Sequence, residues 1–313
     1  MIPDKVSKLL PRPYYTTGSG AAWLGDSLNL VSSLTSQSVN LILTSPPFAL
    51  TRKKEYGNKA SEEYVEWFLP FAEEFKRVLC EDGSFILDLG GAYLPGAPVR
   101  SIYQYELLIR LCKEVGFYLA QEFFHYNPSR LPSPAEWVTV RRVRVKDSVN
   151  VVWWLSPSKT PKADNRKVLK PYSESMKSLL KNGYKPKLRP SGHNISSKFM
   201  KNNEGAIPSN VLELANTESN SNYLRRCQEE GIKPHPARFP EGFAEFFIKF
   251  TTDRSDLVLD PFAGSNTTGY VAEKLGRQWL AFELKEDYLK GSAFRFEEFE
   301  DMFGRQLTHG KAR

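Results

Sequence analysis

Residues 41–50 read LILTSPPFAL. Leu41, Ile42 and Leu43 close an apolar run too short for a helix and suited to a buried strand. Thr44 and Ser45 follow, and then Pro46 and Pro47 stop the strand, because proline cannot donate to a ladder and restricts the residue before it. A serine hydroxyl, two free carbonyls and the ring of Phe48 are thereby held in one rigid turn at the carboxyl end of a strand. A second constellation lies far downstream, in DLVLDPFAGSNTTGYVAEKLGRQWLAFEL, residues 256–284. Leu257 to Leu259 form a short strand ending on Asp260, and DPFAGSNTTG is the turn. A helix begins at Thr267, and a second strand ends on Glu283. An acid at that second strand end is placed to accept hydrogen bonds from ribose hydroxyls. Gly264 lets a ligand approach the backbone of the turn.

Other chemistries find less support. GxGxxG would need glycine where Asn266 stands, and no GxxxxGK[ST] loop occurs, which argues against a nucleoside triphosphate. The four histidines are far apart, with no HExxH or zinc-knuckle spacing, so no metal is expected. Cys80, Cys112 and Cys227 cannot build a disulfide framework and read as buried thiols in a reducing compartment. The start, MIPDKVSKLLPRPYY, has no signal-peptide core, and nothing approaches the ~18 apolar residues of a membrane span. A soluble cytoplasmic protein is the expectation.

The elements that must position these residues alternate. Strands are expected over 21–26, 39–44, 84–90, 117–126 and 147–156, with helices over 27–34, 62–79 and 101–117. This order predicts an α/β, mostly parallel sheet covered by helices on both faces. Residues 157–230 break the pattern, being rich in Pro, Ser, Asn and Lys, and read as an inserted recognition region. From Arg141 to Lys201 there are 16 Lys and Arg against three acids, although the whole chain of 313 residues carries only +7. A basic segment in an acidic remainder is the footprint of a polyanion.

TSPPF and DPFAGSNTT together resemble the motifs of DNA amino-methyltransferases. The turn is similar to their FxGxG element for S-adenosylmethionine, with Asn266 at the second glycine. TSPPF resembles the form of the catalytic motif associated with cytosine N4; it disfavours adenine N6 without excluding it. Catalytic motif first, basic region next and cofactor motif last is the permuted β-class order. GDSL (25–28), RPSGHNIS (189–196) and HPARFP (235–240) resemble further elements of that class. TSPPFAL followed by RKKEYGN, GSFILDLGGAY, NPSRLPSPAEWV, VWWLS, RPSGH and HPARFP is most similar to the PvuII-type cytosine-N4 group.

The resemblance implies a circularly permuted Rossmann-like methyltransferase fold. Its catalytic part would span 1–156, a basic target-recognition region 157–230, its cofactor part 231–300 and a tail 301–313. It implies S-adenosylmethionine held by Asp260, Pro261, Phe262, Gly264, Ser265, Asn266, Thr267, Thr268 and Glu283, with Asp26 on the adenine side and His235 and Pro236 beside the methionine end. It implies double-stranded DNA as substrate, contacted by Arg141, Arg142, Arg144, Lys146, Arg189, Ser191, Gly192 and His193. A short palindrome such as CAGCTG would be the site, with a restriction endonuclease sharing it as a separate chain, and the enzyme a monomer or homodimer. An amine delocalised into a cytosine ring is a poor nucleophile; Ser45 and the Pro46 carbonyl would accept its N–H bonds, with Pro47 fixing that carbonyl's aim. Phe48 would stack on the base flipped from the duplex. Asp88 would hydrogen-bond the base or Ser45, or simply anchor a loop. Tyr93 and His125 are further candidates, His125 equally readable as a structural histidine. A DNA-binding protein on an inactive methyltransferase fold is the competing reading.

Overall fold

The computed structural model describes residues 9–49, 59–183, 202–215 and 221–297, and the backbone of 308–309. The described residues within 164–209 form a compact unit of their own, and the remainder of the described chain forms a larger one. The smaller unit carries the helix α4 (Glu174–Asn182), capped by Ser173, and a bridge between Lys170 and Ala206.

The larger unit is built on one sheet. In chain order its strands are β1 (Tyr15–Thr16), β2 (Gly20–Leu24), β3 (Val39–Thr44), β4 (Leu79–Leu89), β5 (Tyr118–Tyr126), β6 (Val149–Ser156), β7 (Val211–Glu213), β8 (Leu257–Asp260), β9 (Gln278–Glu283) and β10 (Thr308–His309). Their order across the sheet is β10-β1-β2-β9-β8-β3-β4-β6-β5-β7. The run β2, β9, β8, β3, β4 is parallel, and β6 is antiparallel to both of its neighbours. β7 lies within the stretch read as recognition region, yet it pairs with β5.

The expected strands and helices appear with small shifts. Leu41, Ile42 and Leu43 are all buried, which explains their unbroken apolar run: β3 has cover on both faces. On one side α2 (Ser61–Val78) lays down Tyr64, Phe68, Phe71 and Phe75 at helical spacing. Glu62 and Glu63 in its first turn and Lys76 and Arg77 in its last complement the helix dipole. Pro70 lies inside this helix but on its exposed side, where water can solvate the carbonyl its ring frees. Arg77 also donates to the carbonyls of Leu34 and Val31, closing the end of α1 (Ser27–Ser32). On the other side α6 (Glu241–Thr251) packs Phe243 against His125 and Phe247 and Phe250 against Phe123 of β5, with Phe250 also against Trp154 of β6. The helix expected over 101–117 is regular only as α3 (Tyr103–Arg110) and widens to a π turn over Leu111–Val115, ended by Gly116 at φ 82°.

From β8 the chain proceeds to β9 on one side, and from the adjacent β3 it proceeds to β4 on the other. Connections that diverge in this way leave a crevice at the carboxyl ends of the central strands, where ligands bind in open α/β sheets. Among the described residues no helix is long and apolar enough to cross a membrane.

Candidate active site

A cavity of about 380 Å³ lies at that edge, lined from both halves of the sheet. Ser45, Pro46, Pro47 and Phe48 enter from the end of β3, Asp88 from β4, Pro261 to Ser265 from the turn after β8, and Glu283 from the end of β9. The two motifs, more than 200 positions apart, thus face one space.

In the β3 half, the Ser45 Oγ donates to Asp88 Oδ2 over a long 3.4 Å. Having spent its only proton there, the hydroxyl keeps its lone pairs for a donor in the cavity. Asp88 is 3% exposed, and burial pushes its carboxyl up, opposed by His125, Asn150, Arg130 and Ser45. Its Oδ1 is buried with no hydrogen-bond partner among the described residues. Phe48 rests over Gly90, where a Cβ would overlap its ring. Trp67 and Phe71 of α2 close on Phe262, with ring centroids 6.0 and 5.3 Å away, and supply an apolar wall.

Three further polar lining residues, Asn150, Arg130 and His125, meet here. Asn150 opposes His125 across the β5–β6 ladder, and Arg130 donates to the Asn150 Oδ1 at 2.9 Å. His125, a weak candidate from its position at an apolar strand end, is placed in the cavity with Asp88. Nothing in the spacing links 45, 88, 125 and 150; antiparallel β6 brings them together. An asparagine near the start of the apolar strand VNVVWWLS was the one available signal.

Around the β8 turn the predicted residues divide. Pro261, Phe262, Gly264, Ser265, Thr267, Glu283, Asp26 and His235 line the cavity. Asp260, Asn266, Thr268 and Pro236 do not. Asp260, 2% exposed, accepts from Thr44 Oγ1 at 2.7 Å, Thr268 Oγ1 at 2.6 Å and the Phe262 amide at 3.1 Å. It ties the end of β3 to the turn after β8, and burial raises its pKa to about 6. Asn266 stands in the left-handed region at φ 54°, caps α7 (Thr267–Lys274) by accepting from the Gly269 amide, and donates to the Tyr15 hydroxyl. That is why asparagine can replace a glycine there: it tolerates this backbone and uses its side chain locally.

Glu283 accepts from the amides of Gly264 and Lys285, each at 2.8 Å, and burial pushes its carboxyl up. Each oxygen retains a lone pair for a further donor. Asp26 caps α1 through the Leu28 and Asn29 amides. The His235 ring stands edge-on to Tyr288, its Nδ1 beside the Ala237 carbonyl, and burial lowers its pKa to about 4. Gly264 has φ 52°, and a Cβ there would meet the His235 ring at 3.1 Å.

The basic residues also divide. Arg141 and Arg142 are exposed, Arg141 pairing with Glu136 and covering the Trp137 ring. Arg144 is braced by the Pro98 carbonyl and the Tyr93 ring, and Lys146 by the carbonyls of Pro128 and Arg130. Tyr93 bonds Asp147, away from the cavity lining. Arg189, Ser191, Gly192 and His193 lie outside the described residues, as does RKKEYGN.

A Rossmann-like sheet with this cavity at its carboxyl edge is the architecture of a methyltransferase, and the chain belongs to the DNA methylase family, whose pattern matches residues 39–294. It is 53% identical over 307 residues to the type II methyltransferase M.PvuII of Proteus hauseri, covering 95% of this chain and 91% of that one. It is 30% identical to M.ScaI of Streptomyces caespitosus, covering 95% and 88%. The solved structure of a PvuII DNA methyltransferase, described as cytosine-N4-specific, superposes with a TM-score of 0.75 at 47% identity over 94% of each chain. A putative DNA modification methylase of Thermus thermophilus, solved with S-adenosyl-L-methionine, shares the fold at 18% identity and a TM-score of 0.54, over 90% of this chain and 93% of that one.

Proposed function

We propose that the protein methylates the exocyclic N4 amine of a cytosine flipped from double-stranded DNA, with S-adenosylmethionine as methyl donor. The observation that carries this reading is the meeting of Ser45, Asp88 and Phe48 with the Gly264 turn in one cavity, in a chain 53% identical to M.PvuII. The cofactor fits the residues present: Glu283 has acceptor capacity for ribose hydroxyls, Gly264 admits a ligand against its backbone, and Phe262 offers an apolar face. Bound there, the sulfonium supplies an activated methyl, so no covalent enzyme intermediate is required. Asp26 serves the adenine side, and His235 packs beside the methionine end.

The chain's own residues prepare the amine. Ser45 Oγ and the Pro46 carbonyl accept its N–H bonds and draw the nitrogen toward tetrahedral geometry, freeing its lone pair. Pro47 keeps that carbonyl aimed where positive charge develops. Phe48 stacks on the extruded ring, worth about 1–3 kcal/mol against a flipping cost of about a few kcal/mol. The basic residues Arg141, Arg142, Arg144 and Lys146 hold the duplex. The methylation protects sites from a restriction endonuclease made as a separate chain, in the cytoplasm, and a monomer suffices because each strand receives its methyl in turn.

The test is mass spectrometry of nucleosides from unmethylated DNA incubated with the protein and S-adenosylmethionine. N4-methylcytosine is the expected product; N6-methyladenine or 5-methylcytosine would overturn the assignment of TSPPF. Two substitutions probe the binding residues. Gly264→Ala forces a Cβ into the left-handed region at about 1–2 kcal/mol and crowds His235. It is expected to weaken S-adenosylmethionine binding about tenfold by calorimetry, and an unchanged affinity would remove the turn from the cofactor site. Arg142→Gln is expected to lower the salt slope of DNA binding by about one, as one phosphate contact is lost. A slope equal to that of the parent protein would show that Arg142 does not touch the backbone.

A further inference from the structure

We propose that His125 is the terminal acceptor of the proton that the target amine loses on methylation, reached through Ser45 and Asp88. This rests on reading the cavity as an amine-methylating site.

The placement follows from register. Leu87 pairs with Thr44, so Ser45 is the next position along from Thr44 as Asp88 is from Leu87. Asp88 pairs with Val152 of β6, two residues from Asn150, and Asn150 pairs with His125 of β5. Because side chains alternate along a strand, Ser45, Asp88, Asn150 and His125 share one face and form a row across four strands. All four line the cavity.

The chemistry of the row runs in one direction. The His125 Nε2 lies 3.4 Å from the Leu214 carbonyl. A carbonyl only accepts, so the ring proton belongs on Nε2 and Nδ1 keeps its lone pair. Among the described residues that buried Nδ1 has no hydrogen-bond partner, and neither has the Asp88 Oδ1. Buried polar side-chain atoms are seldom left unpaired, and two at one cavity indicate a group or proton that visits. The Phe243 ring of α6, 5.1 Å away, holds the imidazole in place. Asp88 from β4, on which it acts electrostatically, and Arg130 from the loop after β5 line the cavity with it; α6 presents Phe243, and the segment after β7 the Leu214 carbonyl. Arg130 fixes the Asn150 amide through its Oδ1, which steadies the row between them.

In the transfer, the N4 lone pair forms the bond to the methyl carbon while the methyl–sulfur bond breaks with its pair going to sulfur. The amine, now positively charged, gives a proton to Ser45 Oγ as Ser45 passes its own to Asp88 Oδ2. Because neither Asp88 Oδ1 nor His125 Nδ1 bonds a described residue, Asp88 passes a proton through one bridging water to the His125 Nδ1, which ends as imidazolium and releases it to solvent when product leaves. Ser45 and Asp88 return to their starting states, and burial of Asp88 readies its carboxyl to take the proton.

The test uses the full chain, unmethylated plasmid DNA and S-adenosylmethionine under single-turnover conditions. His125→Ala is expected to slow N4-methylcytosine formation about 100-fold, with cofactor affinity by calorimetry unchanged. Added imidazole should restore at least a tenth of the lost rate, and the acid limb of the parent pH–rate profile should vanish. His125→Gln, which preserves more volume, should lose the same limb. A parental rate in either variant, or a slow variant that keeps the acid limb and ignores imidazole, overturns the assignment. If the parent protein itself yields no N4-methylcytosine, the functional reading fails and the proton route fails with it.

Discussion

Ser45→Ala is expected to slow methyl transfer about 100- to 1000-fold, equivalent to roughly 2.7–4 kcal/mol, while leaving S-adenosylmethionine binding as it is. The size follows from when the interaction matters. Cytosine N4 is nearly planar in the ground state and gains positive charge only as the methyl arrives. An acceptor fixed beforehand therefore stabilises the transition state more than the bound substrate. Ser45 is fixed twice, by the prolines that follow it and by its hydrogen bond to Asp88. In the proposed function cofactor binding draws on the turn after β8 and on Glu283, so it should not respond. Single-turnover rates and calorimetry together check this: an unchanged rate would remove Ser45 from the mechanism, and a lost affinity would assign it to the cofactor.

Asp260→Ala should be the most damaging single change to folding among the motif residues. The carboxylate accepts from Thr44, Thr268 and the Phe262 amide. Each donor left unpaired costs about 1–3 kcal/mol, so a loss of roughly 3 kcal/mol or more is expected by denaturant titration. Asp260→Asn keeps an oxygen for Thr44 and the Phe262 amide and should cost less than half of that.

The same residue sets a pH dependence. Its folded pKa of about 6 lies above the ordinary carboxyl value of 3.8, so the folded chain holds this proton more tightly than the unfolded one. The stability it contributes is complete below about 3.8 and is lost as pH rises to about 6, on the order of 3 kcal/mol in all. Asp260→Asn should remove that decline. An equal slope in parent and variant between these pH values would show that Asp260 does not carry it.

The sequence by itself determined the alternation of elements, the two strand-end motifs and the class of chemistry. These are local properties: Pro46 and Pro47 stop a strand wherever it lies, and Tyr64, Phe68, Phe71 and Phe75 mark a buried helix face without reference to its partner. It also contained the shift to a Pro-, Ser-, Asn- and Lys-rich composition over 157–230, though not that Val211–Glu213 returns to the main sheet as β7.

Tertiary structure decided which motif residues face the cavity. Asp260 and Glu283 look equivalent as acids ending strands, yet Asp260 is turned inward to bind β3 to the β8 turn while Glu283 opens on the cavity. Asn266 looks like a damaged glycine and proves to be a helix cap. The grouping of His125, Asn150 and Arg130 could not be read at all, because strand pairing sets their proximity and pairing partners are remote in sequence. The physical reason is one of range. Backbone restriction and apolar periodicity act over a few residues, whereas a cavity is assembled by ladder register between strands whose sequence separation carries no mark.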